Sequence, residues 1–329
     1  MAPAYDAQTT GDELVKEYAS ELKGKIILTT GVSPAGLGAL FVEALAKGGE
    51  PAILILASRN AEKAQKVADS LTAANSSVSV RILKLDLGSL AAVREAADIV
   101  NGWDDVPQID VLVNNGGIMG TDYAVSPDGF ESQFATNHLG HFLFTNLIMD
   151  KILKSPTPRV VSVSSDGHRL NPIRWADLDF SKGETYNKWH AYGQSKTANI
   201  LMAVSLAKKL GPKGLLAFSL HPGVIGSTQL GDHIDWNVDY PTLNAVDKAL
   251  GNTEGFATGF KWKTEQEGIA THVFAALAPE LKEHNGAYLD NAHVAHPERE
   301  TIKPWAVSRS EAERLWKLSE ELVGQKFSY

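Results

Sequence analysis

Short apolar runs alternate with longer segments of helical period along the first two thirds of the chain. The runs are 25–30, 52–57, 78–85, 110–114, 159–163 and 216–220. They are largely apolar, as strands buried on both faces are. Between them, 37–47, 61–73, 89–100 and about 130–153 carry apolar residues at helical spacing, and a further helix contains Tyr192 and runs to Leu210. This alternation predicts βαβ units: an α/β fold, a doubly wound parallel sheet with helices on both faces. In such sheets ligands bind beyond the carboxyl ends of the strands.

Two segments fall outside the pattern. Residues 1–23 read as an N-terminal extension with an amphipathic helix over 12–22, expected against the sheet edge. Residues 24–329 read as one domain. Within it, 226–263 is rich in Gly, Asp, Asn and Trp with weak periodicity. It is either a flap over the site or a surface excursion packed on itself.

Composition narrows the options. The 329 residues are 43% hydrophobic and 21% charged, an ordinary globular balance. A formal net charge of −8 argues against a nucleic-acid or anionic-membrane partner. There is no cysteine, which removes disulfides and thiolate chemistry. The N-terminus carries acids and no apolar core of a signal peptide, and no apolar stretch approaches the ~18 residues of a membrane span. A cytoplasmic enzyme is expected.

The candidate chemistry lies at the predicted strand ends or on the helices that follow them. Tyr192-Gly193-Gln194-Ser195-Lys196 places a phenol and an ammonium at i and i+4, on one helix face. A cation held there is expected to lower the phenol's pKa and suit it to proton transfer. Thr30-Gly31-Val32-Ser33-Pro34-Ala35-Gly36-Leu37-Gly38 joins the first strand to the first helix, where glycines let backbone approach a diphosphate at a helix N-terminus. Gly31 to Ala35 also approaches the G-x-S-x-G elbow of a serine hydrolase. The second glycine is missing, however, and no later acid-then-histidine pair stands out. The second strand ends in Ser58-Arg59-Asn60. A site for NAD usually has an acid here, whereas a guanidinium suits a 2′-phosphate, so NADP(H) is favoured over NAD(H).

Together these features resemble the short-chain dehydrogenase/reductase family, whose sheet is of Rossmann type. The likeness is strongest to its retinol-dehydrogenase-like and WW-domain-oxidoreductase-like members, fungal ones particularly. It covers about 23–230 and fades beyond. The resemblance implies a catalytic set of Asn137, Ser165, Tyr192 and Lys196. Ser165 is the second serine of Val163-Ser164-Ser165, and Asn137 opens Asn137-His138-Leu139-Gly140-His141. The glycine motif is matched with one extra residue between Gly31 and Gly36. Implied cofactor contacts there are Gly31, Ser33, Gly36, Leu37 and Gly38, then Ser58, Arg59 and Asn60 at the second strand. Asp86, near the adenine, and Leu87 follow the third strand. Asn114 and Gly116 belong to Asn114-Asn115-Gly116-Gly117, with Gly116 in place of the family's alanine. Pro222, Gly223, Ile225 and Ser227 complete the set with Tyr192 and Lys196.

The implied activity is reduction of an aldehyde or ketone, or oxidation of the alcohol, by a monomer or homodimer. Tyr192 would pass the proton and Ser165 orient the oxygen. Lys196 would lower the tyrosine's pKa and hold the nicotinamide ribose, and Asn137 would hold a water. A dinucleotide sensor without turnover is the alternative of another class. His138 and His141, spaced i and i+3, have no third ligand at recognisable spacing, so no metal is expected.

Overall fold

The computed structural model describes residues 5–252, 259–297 and 302–329. Helix α1 (Gly11–Glu17) opens on a capping box between Thr10 and Glu13, and α2 (Ala19–Leu22) follows a break at Tyr18. Strand β1 (Ile26–Thr30) leads to α3 (Leu37–Gly48), β2 (Ile53–Ser58) to α4 (Ala61–Ala74), and β3 (Ser79–Lys84) to α5 (Leu90–Asn101). Asn60 and Ser89 cap α4 and α5 with side-chain oxygens. After β4 (Val111–Asn114) the expected single helix is broken. It comprises α6 (Ser132–Phe134), a π-helical stretch Ala135–Leu139, α7 (Gly140–Leu147) and α8 (Met149–Leu153). Then come β5 (Arg159–Val163), α9 (Lys188–Leu210), β6 (Leu216–Leu220), α10 (Trp236–Ala249) and α11 (Glu265–Leu277). Strands β7 (Tyr288–Asp290) and β8 (His293–Val294), with α12 (Pro304–Val307) and α13 (Arg309–Leu322), complete the order.

Among the described residues the strands form one sheet in the order β3-β2-β1-β4-β5-β6-β7-β8. All pairs are parallel except the antiparallel β7–β8 pair at the edge. The two-residue period of each strand feeds two cores. Ile27 of β1 points to one face, where Phe41, Val67 and Ile269 of α3, α4 and α11 cover it. Ile26 and Leu28 point to the other, beneath Val93, Phe142, Leu201 and Trp316 of α5, α7, α9 and α13. This is the doubly wound sheet that the alternation predicted, and it is of the Rossmann type that the resemblance implied.

Two expectations change. The N-terminal helix does not lie against the sheet edge. Leu14 and Val15 of α1 are buried against α3 and α11, in the helix layer over one face. A Gly11 Cβ would press on Ile269, and Val15 sits close over Gly48. The amphipathic stripe of α1 finds an apolar helix surface there, which the polar edge strand β3 does not offer. Beyond β6 the sequence reading named no element, yet α13 is integral to the second core. Trp316 is 3% exposed and meets Phe142 edge-on, with ring centroids 4.9 Å apart. Trp316→Ala should therefore lower the unfolding free energy by about 3–5 kcal/mol, as large-to-small core changes do. Urea denaturation checks this, and a loss below about 1 kcal/mol would show that α13 is not docked.

Candidate active site

The carboxyl ends of β1 to β6 open into a cavity of about 980 Å³. The turn after β1 is held by Thr30, whose Oγ1 accepts the N–H groups of Asn115 and Gly116 at 3.0 Å each. Gly31 has φ +71°, and a Cβ on it would overlap the Gly116 Cα, so glycine is required. Gly31, Ser33, Gly36 and Leu37 line the cavity. No side chain caps α3, so its first N–H groups are left for a ligand. The extra residue of the turn is accommodated at Ala35, in the left-handed region with φ +60°. Gly38 stands behind the wall and lets α3 approach Asn115 and the Gly31 carbonyl.

At the β2 end Ser58, Arg59 and Asn60 line the cavity. Asn60 Oδ1 accepts Lys63 N–H at 3.0 Å, which starts α4 and brings Lys63 onto the same wall. Among the described residues neither Arg59 nor Lys63 has an ion-pair partner. Asp86 and Leu87 line the adjacent wall. Asp86 Oδ1 accepts the Gly88 N–H at 3.0 Å, while Ser89 caps α5. Pro222, Gly223 and Ile225 line the cavity beyond β6. Gly116 lines it too, and a Cβ there would stand 2.9 Å from a Leu87 methyl and 3.3 Å from the Gly31 backbone, so the family's alanine would be tight at this seam. Two expected contacts turn away. Asn114 donates to Thr145 Oγ1 at 2.9 Å, and Ser227 donates to Glu265 at 2.8 Å, leaving Thr228 on the wall instead.

Tyr192 and Lys196 share the inward face of α9. Lys196 Nζ donates to the Val163 carbonyl at 3.1 Å and lies 5.7 Å from the Tyr192 ring centroid. The Tyr192 ring and Ser165 Oγ meet over Gly167, whose missing side chain leaves room for both. Ser165 Oγ also accepts the Gly167 N–H at 2.9 Å, so it caps the following turn as well. Ser164 instead donates to the Lys196 main-chain carbonyl at 2.8 Å. Asn137 is behind this wall, in the π-helical stretch. Its Oδ1 accepts the Ile118 N–H at 2.8 Å, and its Nδ2 donates to the Ile118 carbonyl and to Ser195 Oγ, each at 2.9 Å. Ser195 then donates to the Tyr192 carbonyl at 2.8 Å. Both amide protons of Asn137 thus serve protein groups.

Burial sets the protonation states here, and it corrects the expected acidic phenol. Desolvation pushes the Tyr192 hydroxyl up to about 12, with the Ser165 hydroxyl acting the other way. The same desolvation lowers the Lys196 ammonium to about 8. Each charged form loses water, and Lys196 lies against the ring with its proton given to Val163. At neutral pH the phenol holds its proton.

The description of a short-chain dehydrogenase matches residues 25–237. The chain belongs to the short-chain dehydrogenase family. It is 37% identical over 331 residues to the short-chain dehydrogenase/reductase prx1 of Penicillium roqueforti, covering 97% of this chain and 91% of that one. It is 33% identical to retinol dehydrogenase 12 of Bos taurus, over 92% of this chain and 88% of that one. Among solved structures it resembles an uncharacterized protein from Mycobacterium Paratuberculosis, at 30% identity and a TM-score of 0.66, covering 94% of this chain and 98% of that one.

This short-chain dehydrogenase closes its site with the segment after β6. Thr228, Leu230, His233, Trp236 and Phe260 line the cavity. Trp189 stacks on Trp236 at 6.1 Å, and Phe260 meets Trp236 at 5.6 Å and Trp262 at 5.4 Å between centroids. Of the expected flap 226–263, residues 253–258 lie outside the described residues. The rest is a wall of the site, and an ion pair fixes it. Arg169 and Asp247 are 1% and 0% exposed and meet at 3.0 Å, and Arg169 also reaches Asp166 at 2.6 Å. Asp247 thereby fastens α10 to the turn that begins at Ser165. Sequence reading missed this pair, because an Arg and an Asp 78 positions apart carry no local signal. It also missed Lys63, although one turn beyond Arg59 was a readable position. Among the described residues no group of three or more His, Asp or Glu could hold a metal. No described helix is long and apolar enough to cross a membrane.

Arg169 also holds Asp166, whereas the fully buried Asp247 depends on Arg169 for its counter-charge, so Arg169→Ala strands that carboxylate and should destabilise the protein by about 3 kcal/mol or more. A shift in the urea midpoint with an unchanged slope is the expected reading. An effect within about 0.5 kcal/mol, typical of surface sites, would return this segment to a surface excursion.

Proposed function

We propose that the protein transfers hydride between NADP(H) and the carbonyl carbon of a moderately bulky, apolar aldehyde or ketone, or in reverse from the alcohol. The observation that carries this reading is the meeting of Tyr192, Ser165 and Lys196 at the floor of a cavity that the glycine turn also lines. The donors fit a dinucleotide. An uncapped helix N-terminus suits its diphosphate, and Arg59 with Lys63, unopposed by an acid at the β2 end, suits a 2′-phosphate. When bound, the cofactor supplies or accepts the hydride.

The chain's own groups do the rest. Tyr192, protonated at neutral pH, gives its proton to the substrate oxygen as charge develops there. Ser165 donates to the same oxygen and offsets that charge. Lys196 stabilises the phenolate left behind and has donors to spare for the nicotinamide ribose. Asn137 pins the Ile118 loop to α9 and so fixes Tyr192 through Ser195. The aromatic wall from Trp189 to Trp262 supports an apolar substrate, in keeping with a relative named for retinol. A cytoplasmic monomer or homodimer is the setting we propose.

The test is an NADPH-consumption screen over aldehydes, ketones and quinones, with Tyr192→Phe as the control. General acid catalysis contributes about 10²–10⁴-fold, so this variant should lose at least about 100-fold in kcat while still binding NADPH. Turnover by the Phe variant near the wild-type rate would overturn the mechanism. Cofactor choice is tested separately. Charge-assisted hydrogen bonds contribute about 1.5–3 kcal/mol each, so Arg59→Ala with Lys63→Ala should erase roughly 100-fold of the preference for NADPH over NADH. Equal use of the two cofactors by the wild type would refute the assignment.

A further inference from the structure

A chain of hydrogen bonds joins the β1 turn to Asn137, and its direction is fixed at every step. It begins at Thr30. The hydroxyl oxygen already accepts two N–H groups, from Asn115 and Gly116. Both lone pairs are used, so the hydroxyl proton has to be given away. His141 Nε2 lies 2.8 Å from it. A ring nitrogen that accepts carries no proton, so the proton of the neutral imidazole is on Nδ1. That nitrogen is 3.0 Å from the Asn137 main-chain carbonyl and donates to it. The ring is buried, and burial lowers its pKa to about 4, against the pull of the Asn137 bond, so it is neutral at physiological pH. From Asn137 the path runs on through its side chain to Ser195 and the Tyr192 carbonyl.

We propose that His141, locked as its Nδ1–H tautomer, is a positioning residue that couples the dinucleotide-binding turn at Thr30 to Asn137 and, through it, to Tyr192. What is coupled rests on the function proposed above; the tautomer and the linkage do not. A diphosphate that settles the β1 turn also settles Thr30, and thereby the carbonyl of Asn137. Coupling of this kind is reciprocal, so breaking the chain at His141 is felt in dinucleotide affinity. His141 touches neither the cavity nor Tyr192, and a purely packing role predicts no dependence on Thr30. His138, the other histidine of the pair, faces away and meets Ser319 at 2.7 Å.

Two measurements test this. The first is nitrogen-15 NMR of the wild-type holoprotein, with His141 assigned by its absence in His141→Asn. A protonated Nδ1 and a bare Nε2 are expected. The opposite tautomer, or a charged ring at pH 7, overturns the proposal without any variant having to fold. The second is NADPH binding, followed by fluorescence, in Thr30→Val, His141→Phe and the double variant. His141→Phe should weaken binding about tenfold, since two buried groups lose their partners. Because Thr30→Val already breaks the chain, adding His141→Phe to it should cost little more. Losses that simply add would show two independent residues and overturn the coupling. NADPH binding with no turnover of any carbonyl would sink the proposed reaction and leave the role of His141 standing. Failure of the wild type to bind either dinucleotide would sink the proposed reaction and the coupling to a dinucleotide, whatever tautomer the NMR shows.

Discussion

Strand β1 has β2 on one side and β4 on the other, so the chain leaves the centre of the sheet in opposite directions and the connecting turns diverge. The crevice between them exists because two turns approach each other at backbone distance. Thr30 collects the N–H groups of Asn115 and Gly116, and Gly31 passes Gly116 with no room for a side chain. Every other wall is arranged around that closure. Helix α3 starts from it, Ile118 continues from it to Asn137, and α9 is tied to Asn137 through Ser195. A bulky group at this seam would separate the glycine turn from the reacting end at once.

The second governing effect is the removal of water. Tyr192, Lys196 and His141 are buried and His221 is half-buried, and desolvation shifts each of the four toward its neutral form. A site poised in this way holds a phenol ready to donate and a lysine whose charge is easily modulated. Two of the polar groups nearest the reacting end are closely paired. Asn137 spends its amide on Ile118 and Ser195, and Arg169 lies between two carboxylates. Such pairing is what lets polar side chains reside in an apolar interior.

What could be read from the chain alone follows a physical boundary. Local patterns were legible. The alternation of apolar runs and helical stretches gave six of the strands, the Tyr192–Lys196 pair falls on the helix where its spacing put it, and the β1 turn and Arg59 lie at the strand ends. Ser165 was distinguished from Ser164 by its order in a motif, and its side chain is the one beside Tyr192. Nonlocal facts were not legible. The acidity of Tyr192 depends on how much water the fold removes, which no spacing encodes. The π-helical stretch at Ala135–Leu139 looks like ordinary helix in sequence, because a register shift in the ladder leaves the apolar period intact. Strands β7 and β8 are too short to show a period. Helix α11 is different: Thr264 and Glu267 form a capping box before an apolar run, a signal that was present and went unread.

Helix α13 lies more than a hundred positions after the start of α9, yet it covers the outer surfaces of α7 and α9. Tyr329 continues this cover by donating to Asn146 at 2.6 Å. A nascent chain that has emerged from the ribosome only as far as α11 already contains every side chain assigned to the chemistry. It still leaves Phe142 and Met202 without the cover that Leu315 and Trp316 give them. Maturation of the reacting end thus waits on translation of a segment that contributes no chemistry, and such an intermediate offers a sticky surface to chaperones.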